Sequence, residues 1–248
     1  MRGLSNSGPL RPAQGFRQTK TCGAQIVLAL DVDTIEEAKR FLDSLYPKIS
    51  IFKVGSQLFT AYGPKIIEML RQKGAQVFLD LKYFDIPNTV AKAVAAAVRQ
   101  RVKMLTLHIS GGKEMLEAAV SSAREQAEVS KVTRPLLIGV TVLTSNNAKT
   151  EEVLALAKAG IDCGLDGVVC SVNETTVLRK KIKKDFIIVT PGIRLNDSIK
   201  DDQKRIATVG QAVKAGSDFL VIGRPILKAD NPLVTTEEIL GDLSRLRK

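Results

Sequence analysis

The sequence predicts a single α/β domain closed as a (β/α)8 TIM barrel, and three observations carry that expectation. From Gln25 onward, short apolar runs alternate with amphipathic helical ones, the order that joins parallel strands through crossover helices. Eight such units can be counted, and a chain of 248 residues has the length that one barrel of this kind needs. Finally, Asp31, Lys53, Asp80 and Lys82 fall at or near the C-terminal ends of their strands, the rim on which barrels build their sites.

Taken in order, the first strand is Ile26 to Leu30, ending in Asp31. Thr34, with Glu37 three residues on, then caps a helix that runs to about Tyr46. The second strand is Ile51 to Val54, closed by Gly55, and its helix runs from about Pro64, a residue tolerated in a first turn, to Lys73. The third is the stretch around Val77 to Lys82, followed by an alanine-rich helix from about Val90 to Arg101. The fourth runs Met104 to His108, then Ser110-Gly111-Gly112 and a helix to about Gln126; the fifth spans Leu136 to Val142, with a helix from about Glu151 to Ala159. The sixth is Gly167 to Cys170, after which Asn173 opens a helix; the seventh is Phe186 to Val189, with a helix at about Thr208 to Ala215. The eighth is Asp218 to Ile222, ending in Gly223-Arg224-Pro225, and about Thr235 to Arg247 makes the last helix. Residues 1–23 carry Gly, Pro, Ser, Gln and Arg without apolar periodicity and read as a disordered basic extension ahead of a barrel domain at 24–248.

Composition narrows the function classes. No apolar run approaches the ~20 residues of a membrane span, so a soluble cytoplasmic protein with no membrane partner is expected. Cys22, Cys163 and Cys170 form neither a close metal-type pair nor an even framework, which suits a reducing compartment. His108 is the only histidine, so a histidine-built zinc site is not expected, and this lone imidazole reads as structural. The net charge of +11 raises the question of nucleic acid. Arg2, Arg11, Arg17 and Lys20, however, lie in a stretch without acids, and aromatic residues at 4% offer no stacking platform. A small phosphorylated anion suits the sign better than a polynucleotide. Gly111-Gly112-Lys113 lacks the upstream glycine of a phosphate-binding loop and reads as a turn into a helix. Asn173-Glu174-Thr175 matches a glycosylation sequon that a cytosolic chain would not present.

The chemistry concentrates in Asp80-Leu81-Lys82-Tyr83-Phe84-Asp85-Ile86-Pro87-Asn88-Thr89. Side chains alternate along a strand, so Asp80 and Lys82 share a face. Pro87 prevents simple continuation of strand or helix, presenting Asp85 on a loop at the strand's end. Charges on an otherwise apolar strand cost desolvation energy, which marks them as functional before they are stabilising. Lys53, Asp80, Lys82 and Asp85 then form an array in which each charge has an opposite neighbour, favouring the ammonium form of the lysines. The loops after strands seven and eight supply an independent signal, because barrels commonly hold phosphate there. Gly223 offers bare backbone, Arg224 a bidentate cation, and Arg194 and Gln203 bracket a polar loop.

Asp80-x-Lys82-x-x-Asp85-Ile86-Pro87-Asn88-Thr89 resembles the signature of the orotidine 5′-phosphate decarboxylases, and the likeness continues along most of the chain after about residue 24. The resemblance implies decarboxylation of orotidylate to uridylate without metal or organic cofactor. In that reading Lys82 stabilises and protonates a carbanion at C6, with Asp80, Lys53 and Asp85 completing the array. It implies that Asp31 and Lys53 contact the ribose, Thr144 the pyrimidine edge, and Pro191, Arg194, Gly223 and Arg224 the phosphate end. Gln203 bridges the phosphate to the base as its loop closes. It also implies a homodimer in which Asp85, Ile86 and Thr89 reach the partner's site. Tyr83-Phe84 departs from the aromatic-histidine pair frequent in the family, and the segment after Thr144-Ser145 is short.

Two other readings compete. Magnesium-dependent sugar-phosphate decarboxylases and hexulose-phosphate synthases also resemble Asp-x-Lys-x-x-Asp barrels, but Ile86-Pro87-Asn88-Thr89 with Pro191-Gly192-Ile193-Arg194 through Gln203 favours the orotidylate enzyme. A basic nucleic-acid-binding protein on a barrel scaffold would leave the charge array unexplained.

Overall fold

The computed structural model describes residues 23–143, 149–194 and 207–246. Thr144, Ser145, Gln203 and the expected extension up to Cys22 lie outside the described residues. The strands are β1 (Gln25–Ala29), β2 (Ile51–Gly55), β3 (Gln76–Tyr83), β4 (Met104–His108), β5 (Leu136–Val140), β6 (Gly167–Val169), β7 (Ile187–Thr190), β8 (Ile193–Arg194), β9 (Ala207–Thr208) and β10 (Phe219–Ile222). Eight of them close a parallel barrel in the order β1-β10-β7-β6-β5-β4-β3-β2, and β8 and β9 form a separate parallel pair. The (β/α)8 expectation is met.

Alternation divides the apolar residues into two layers. Val27 and Ala29, Ile51, Phe78, Met104, Ile138, Ile187 and Val189, and Phe219 and Val221 pack inside the barrel. The intervening Leu28, Phe52, Val77, Leu105, Ile188 and Leu220 belong to the outer core beneath the helices. Strands buried on both faces are continuously apolar, as parallel barrels require.

The helices carry several corrections. Ser56–Tyr62 is an additional helix that follows Gly55 directly, with Gly63 (φ 56°) separating it from Pro64–Gln72. Pro87, expected to break the chain, instead opens the helix Pro87–Arg99, since a first-turn proline forfeits no intrahelical bond. The helix after β6 begins at Val172, not at Asn173, because Ser171 and Glu174 form a capping box. The last helix is Pro232–Arg245, capped by Asn231. The helix Ile35–Leu45 starts where Thr34 predicts, its hydroxyl accepting from Glu37 N at 3.1 Å.

At the N-terminal end two acids stitch neighbouring strands. Asp166 accepts from Leu137 N at 2.8 Å and pairs with Arg134 at 2.5 Å. Asp218 accepts from Ile188 N at 2.7 Å and pairs with Arg179, whose guanidinium also lies 4.7 Å from the Phe186 ring centre. Among the described residues no helix is long and apolar enough to cross a membrane.

Candidate active site

Continuing each strand's inward phase by one or two steps toward the C-terminal rim turns the apolar interior into a polar cavity. Ala29 leads to Asp31, Ile51 to Lys53, Phe78 to Asp80, Val189 to Pro191 and Val221 to Gly223, and all of these except Ile51, together with Lys82, line one cavity of about 240 Å³. Val140, Val142, Leu143 and Val169 make its apolar side, and Arg194 and Arg224 stand at its other edge.

The charges form a chain within this one polypeptide. Lys53 Nζ lies 3.1 Å from Asp31 Oδ1 and 3.5 Å from Asp80 Oδ2, and Lys82 Nζ lies 2.9 Å from Asp80 Oδ1. Burial deepens from the rim inward: the side chain of Asp31 is 55% exposed, that of Asp80 only 13%. Burial by itself would raise the Asp80 carboxyl, but the charges of Lys53 and Lys82, with hydrogen bonds from Lys82 and Thr106, outweigh it and hold it below the ordinary carboxylate range. Asp80 is therefore an anion at neutral pH.

Lys82 reaches this position by a route that simple alternation does not describe. Leu79 pairs with Leu105 and Tyr83 with Leu107, so β3 uses four steps where β4 uses two, and Lys82 in the bulge has φ 52°. A left-handed conformation at a lysine is costly and persists where its surroundings fix it. Thr106 does the fixing. Fully buried, it accepts from Lys82 N at 2.9 Å and donates to Asp80 Oδ1 at 2.9 Å, holding backbone and carboxylate in one bond pair. Sequence reasoning passed over Thr106. Its signal was a hydroxyl two residues from Met104 and two from His108, on the inward phase of an apolar strand.

His108 completes that phase. Its ring meets Phe84 edge-on at 5.6 Å, and burial, then the charge of Lys82, lowers its pKa, opposed by Asp80. The imidazole is neutral at physiological pH and faces the array.

Asp85 is not brought into this charge chain. Its carboxylate accepts from Ile86 N at 2.7 Å, and Asp85 and Thr89 are exposed, as are Phe84 (62%) and Ile86 (66%). The expectation that each charge has an opposite neighbour thus holds for Lys53, Asp80 and Lys82, with Asp31 as the fourth member in place of Asp85.

At the opposite edge Arg194 is buried on β8, its Nη1 donating to Ile193 O at 3.1 Å. Gly223 sits where a Cβ would come within 3.3 Å of the Ala29 Cβ and 3.5 Å of Asp31 Oδ2, so close approach explains its glycine. Gly192 (φ 78°) turns the chain between Pro191 and Ile193.

The profile of the orotidine 5′-phosphate decarboxylase / HUMPS family matches residues 24–239. The chain is 44% identical over 230 residues to a Coxiella burnetii protein named orotidine 5′-phosphate decarboxylase, covering 88% of this chain and 96% of that one. It is 46% identical over 232 residues to a Saccharophagus degradans protein of the same name, covering 89% and 95%. A crystal structure titled orotidine 5′-phosphate decarboxylase from Lactobacillus acidophilus superposes with a TM-score of 0.76 at 34% identity, covering 89% of this chain and 99% of that one.

Proposed function

We propose, since the chain belongs to the orotidine 5′-phosphate decarboxylase / HUMPS family, that it decarboxylates orotidine 5′-monophosphate to uridine 5′-monophosphate and CO2, the final step of de novo uridylate synthesis. The observation that carries the reading is the Asp31-Lys53-Asp80-Lys82 charge chain, which shares one cavity with an apolar wall and two arginines. A phosphorylated nucleotide has these three parts in the same sequence: an anionic end, a diol-bearing sugar and a flat base.

In this reading Arg194, Arg224 and the backbone at Pro191 and Gly223 hold the phosphate, and Gln203 is assigned to bridge it to the base. Asp31 and Lys53 hold the ribose hydroxyls, since a carboxylate accepts and an ammonium donates. The base lies against Val140, Val142 and Val169, with its edge toward Thr144. When the C6–carboxylate bond breaks, the electron pair stays in an in-plane orbital on C6 that the ring cannot delocalise. Lys82 supplies the facing positive charge and then its Nζ proton to C6, after which solvent restores the ammonium. Asp80, anionic beside the departing carboxylate, disfavours the bound substrate and is relieved as CO2 leaves. Because the charges are fixed before substrate arrives, little reorganisation accompanies the reaction. No metal or organic cofactor is required, since every charge that the step needs is a side chain of this site.

Asp85, Ile86 and Thr89 belong to the same reading as groups donated to the site of a second copy. The exposed Phe84 and Ile86 beside them suit a two-fold contact. A cytoplasmic homodimer acting on a small molecule, without nucleic acid, is the form proposed. The test is to add orotidylate to chelator-treated protein and follow uridylate and CO2. Turnover unaffected by chelator is expected; activity that appears only with added magnesium would move the chain to the sugar-phosphate branch.

A further inference from the structure

The end of the barrel opposite the charge array holds a second charged concavity that the proposed reaction does not use. It is a groove of about 620 Å³ at the N-terminal ends of β3, β4 and β5. Arg71, Arg101, Lys103, Lys131 and Arg134 line it, with no acidic and no aromatic side chain among the described lining residues. Asp166 behind the groove pairs with Arg134 through Nη2, while Arg134 Nη1 is buried and has no hydrogen-bond partner. The other four cations have no carboxylate partner among the described residues. Lys103 is half-buried, and its burial lowers its pKa.

The ordinary explanation for cations here is that they complement the negative ends of helices. It suits Arg71, Arg101 and Lys131, which stand at the ends of Pro64–Gln72, Pro87–Arg99 and Gly112–Ser130. It does not account for Lys103 and Arg134, which sit just ahead of β4 and β5. Nor does it account for the backbone. Among the described residues positive φ occurs at or just past six α-helix ends: Gly63 (56°), Gly74 (95°), Arg101 (55°), Lys131 (51°), Gly164 (94°) and Gly216 (99°). Glycine is the low-strain residue at such a position. Both exceptions are cations, and both line this groove. Like charges gathered in a concavity repel one another unless an anion joins them.

We propose that this groove binds a small polyphosphate anion, through the phosphate chain itself. With no aromatic side chain to stack a base, the terminal chain of a nucleoside triphosphate and free inorganic triphosphate carry the same recognised chemistry. The site is independent of the decarboxylase reading, since none of its residues lines the cavity at the other mouth.

The full chain is titrated with sodium tripolyphosphate, adenosine triphosphate and orthophosphate by calorimetry at physiological ionic strength. The wild type should show one saturable site for tripolyphosphate, of similar strength for the nucleotide and far weaker for orthophosphate. Arg101→Gly with Lys131→Gly relaxes both backbones and removes two charges. It should weaken that site at least about tenfold while leaving orotidylate turnover unchanged, and Lys103→Met should weaken it as well. Affinity identical to wild type in both variants would place the binding elsewhere and overturn the proposal. Absence of saturable binding would overturn it too, as would a nucleotide that binds where tripolyphosphate does not. Polyuridylate binding that is lost in the double variant while tripolyphosphate is silent would replace the small anion by RNA.

Discussion

Replacing Thr106 by valine removes one hydroxyl and almost no volume, so its consequences come from two hydrogen bonds. Thr106 is fully buried; its Oγ1 accepts from Lys82 N and donates to Asp80 Oδ1, each at 2.9 Å. Loss of a bond to a charged group costs about 1.5–3 kcal/mol, and a buried N–H left unpaired costs about 1–3 kcal/mol. Allowing for partial relaxation, we expect a net loss of about 3 kcal/mol, which for a chain of this size lowers Tm by about 6–12 °C. Activity should suffer separately. With its N–H unpaired, the left-handed turn at Lys82 is no longer fixed, and misplacement of a reacting group by about 1 Å can cost about 100-fold. A fall in kcat of about 10–100-fold is therefore expected for Thr106→Val, with Thr106→Ser close to wild type because it keeps both bonds. Calorimetry and a spectrophotometric assay on orotidylate read the two effects. If Thr106→Val melted and turned over like the wild type, the claim that this hydroxyl fixes the Lys82 geometry would be refuted.

Other consequences are equally direct. Phe219→Ala empties a fully buried ring site inside the barrel and should cost about 3–5 kcal/mol, readable as a loss in urea midpoint with an unchanged slope. His108 has a folded pKa below its ordinary 6.5, so its neutral form contributes stability that is fully present above 6.5 and is lost as pH falls through the lowered value. Between pH 7 and 5 the wild type should therefore lose more stability than His108→Gln; parallel curves for the two proteins would contradict the burial argument. Arg224→Ala should weaken orotidylate far more than the bare nucleoside orotidine, and equal losses in KM for both would mean that the phosphate end is misplaced.

The charged rim was legible because it follows from phase: once Val27, Ile51 and Phe78 are assigned inward, Asp31, Lys53 and Asp80 must follow them into the same space. The bulge at Lys82 was not legible, since β3 gains its two extra steps only in relation to β4, a strand more than twenty residues further on. Simple alternation reached the right pairing of Asp80 and Lys82 without the backbone that produces it. Thr106 was missed for a related reason: a threonine in a strand is ordinary until its partners are known. The helix Ser56–Tyr62 has no side-chain cap and follows a strand without a loop, so no start signal marks it. Pro87 shows the opposite error, a residue read as a breaker that in fact opens a helix. The pairs Arg134–Asp166 and Arg179–Asp218 join residues 32 and 39 positions apart, and no local pattern announces them. The proposed role of Asp85 in a second copy's site depends on packing between copies, which one chain's spacing does not encode.

The central claim is that the ammonium of Lys82, held 2.9 Å from Asp80, meets and protonates the carbanion. Single-turnover decarboxylation of orotidylate by Lys82→Ala, with circular dichroism and Tm recorded on the same sample, tests it most directly. The account predicts a folded protein that still binds uridylate and forms no measurable product. A folded Lys82→Ala that releases CO2 at close to the wild-type rate would contradict it.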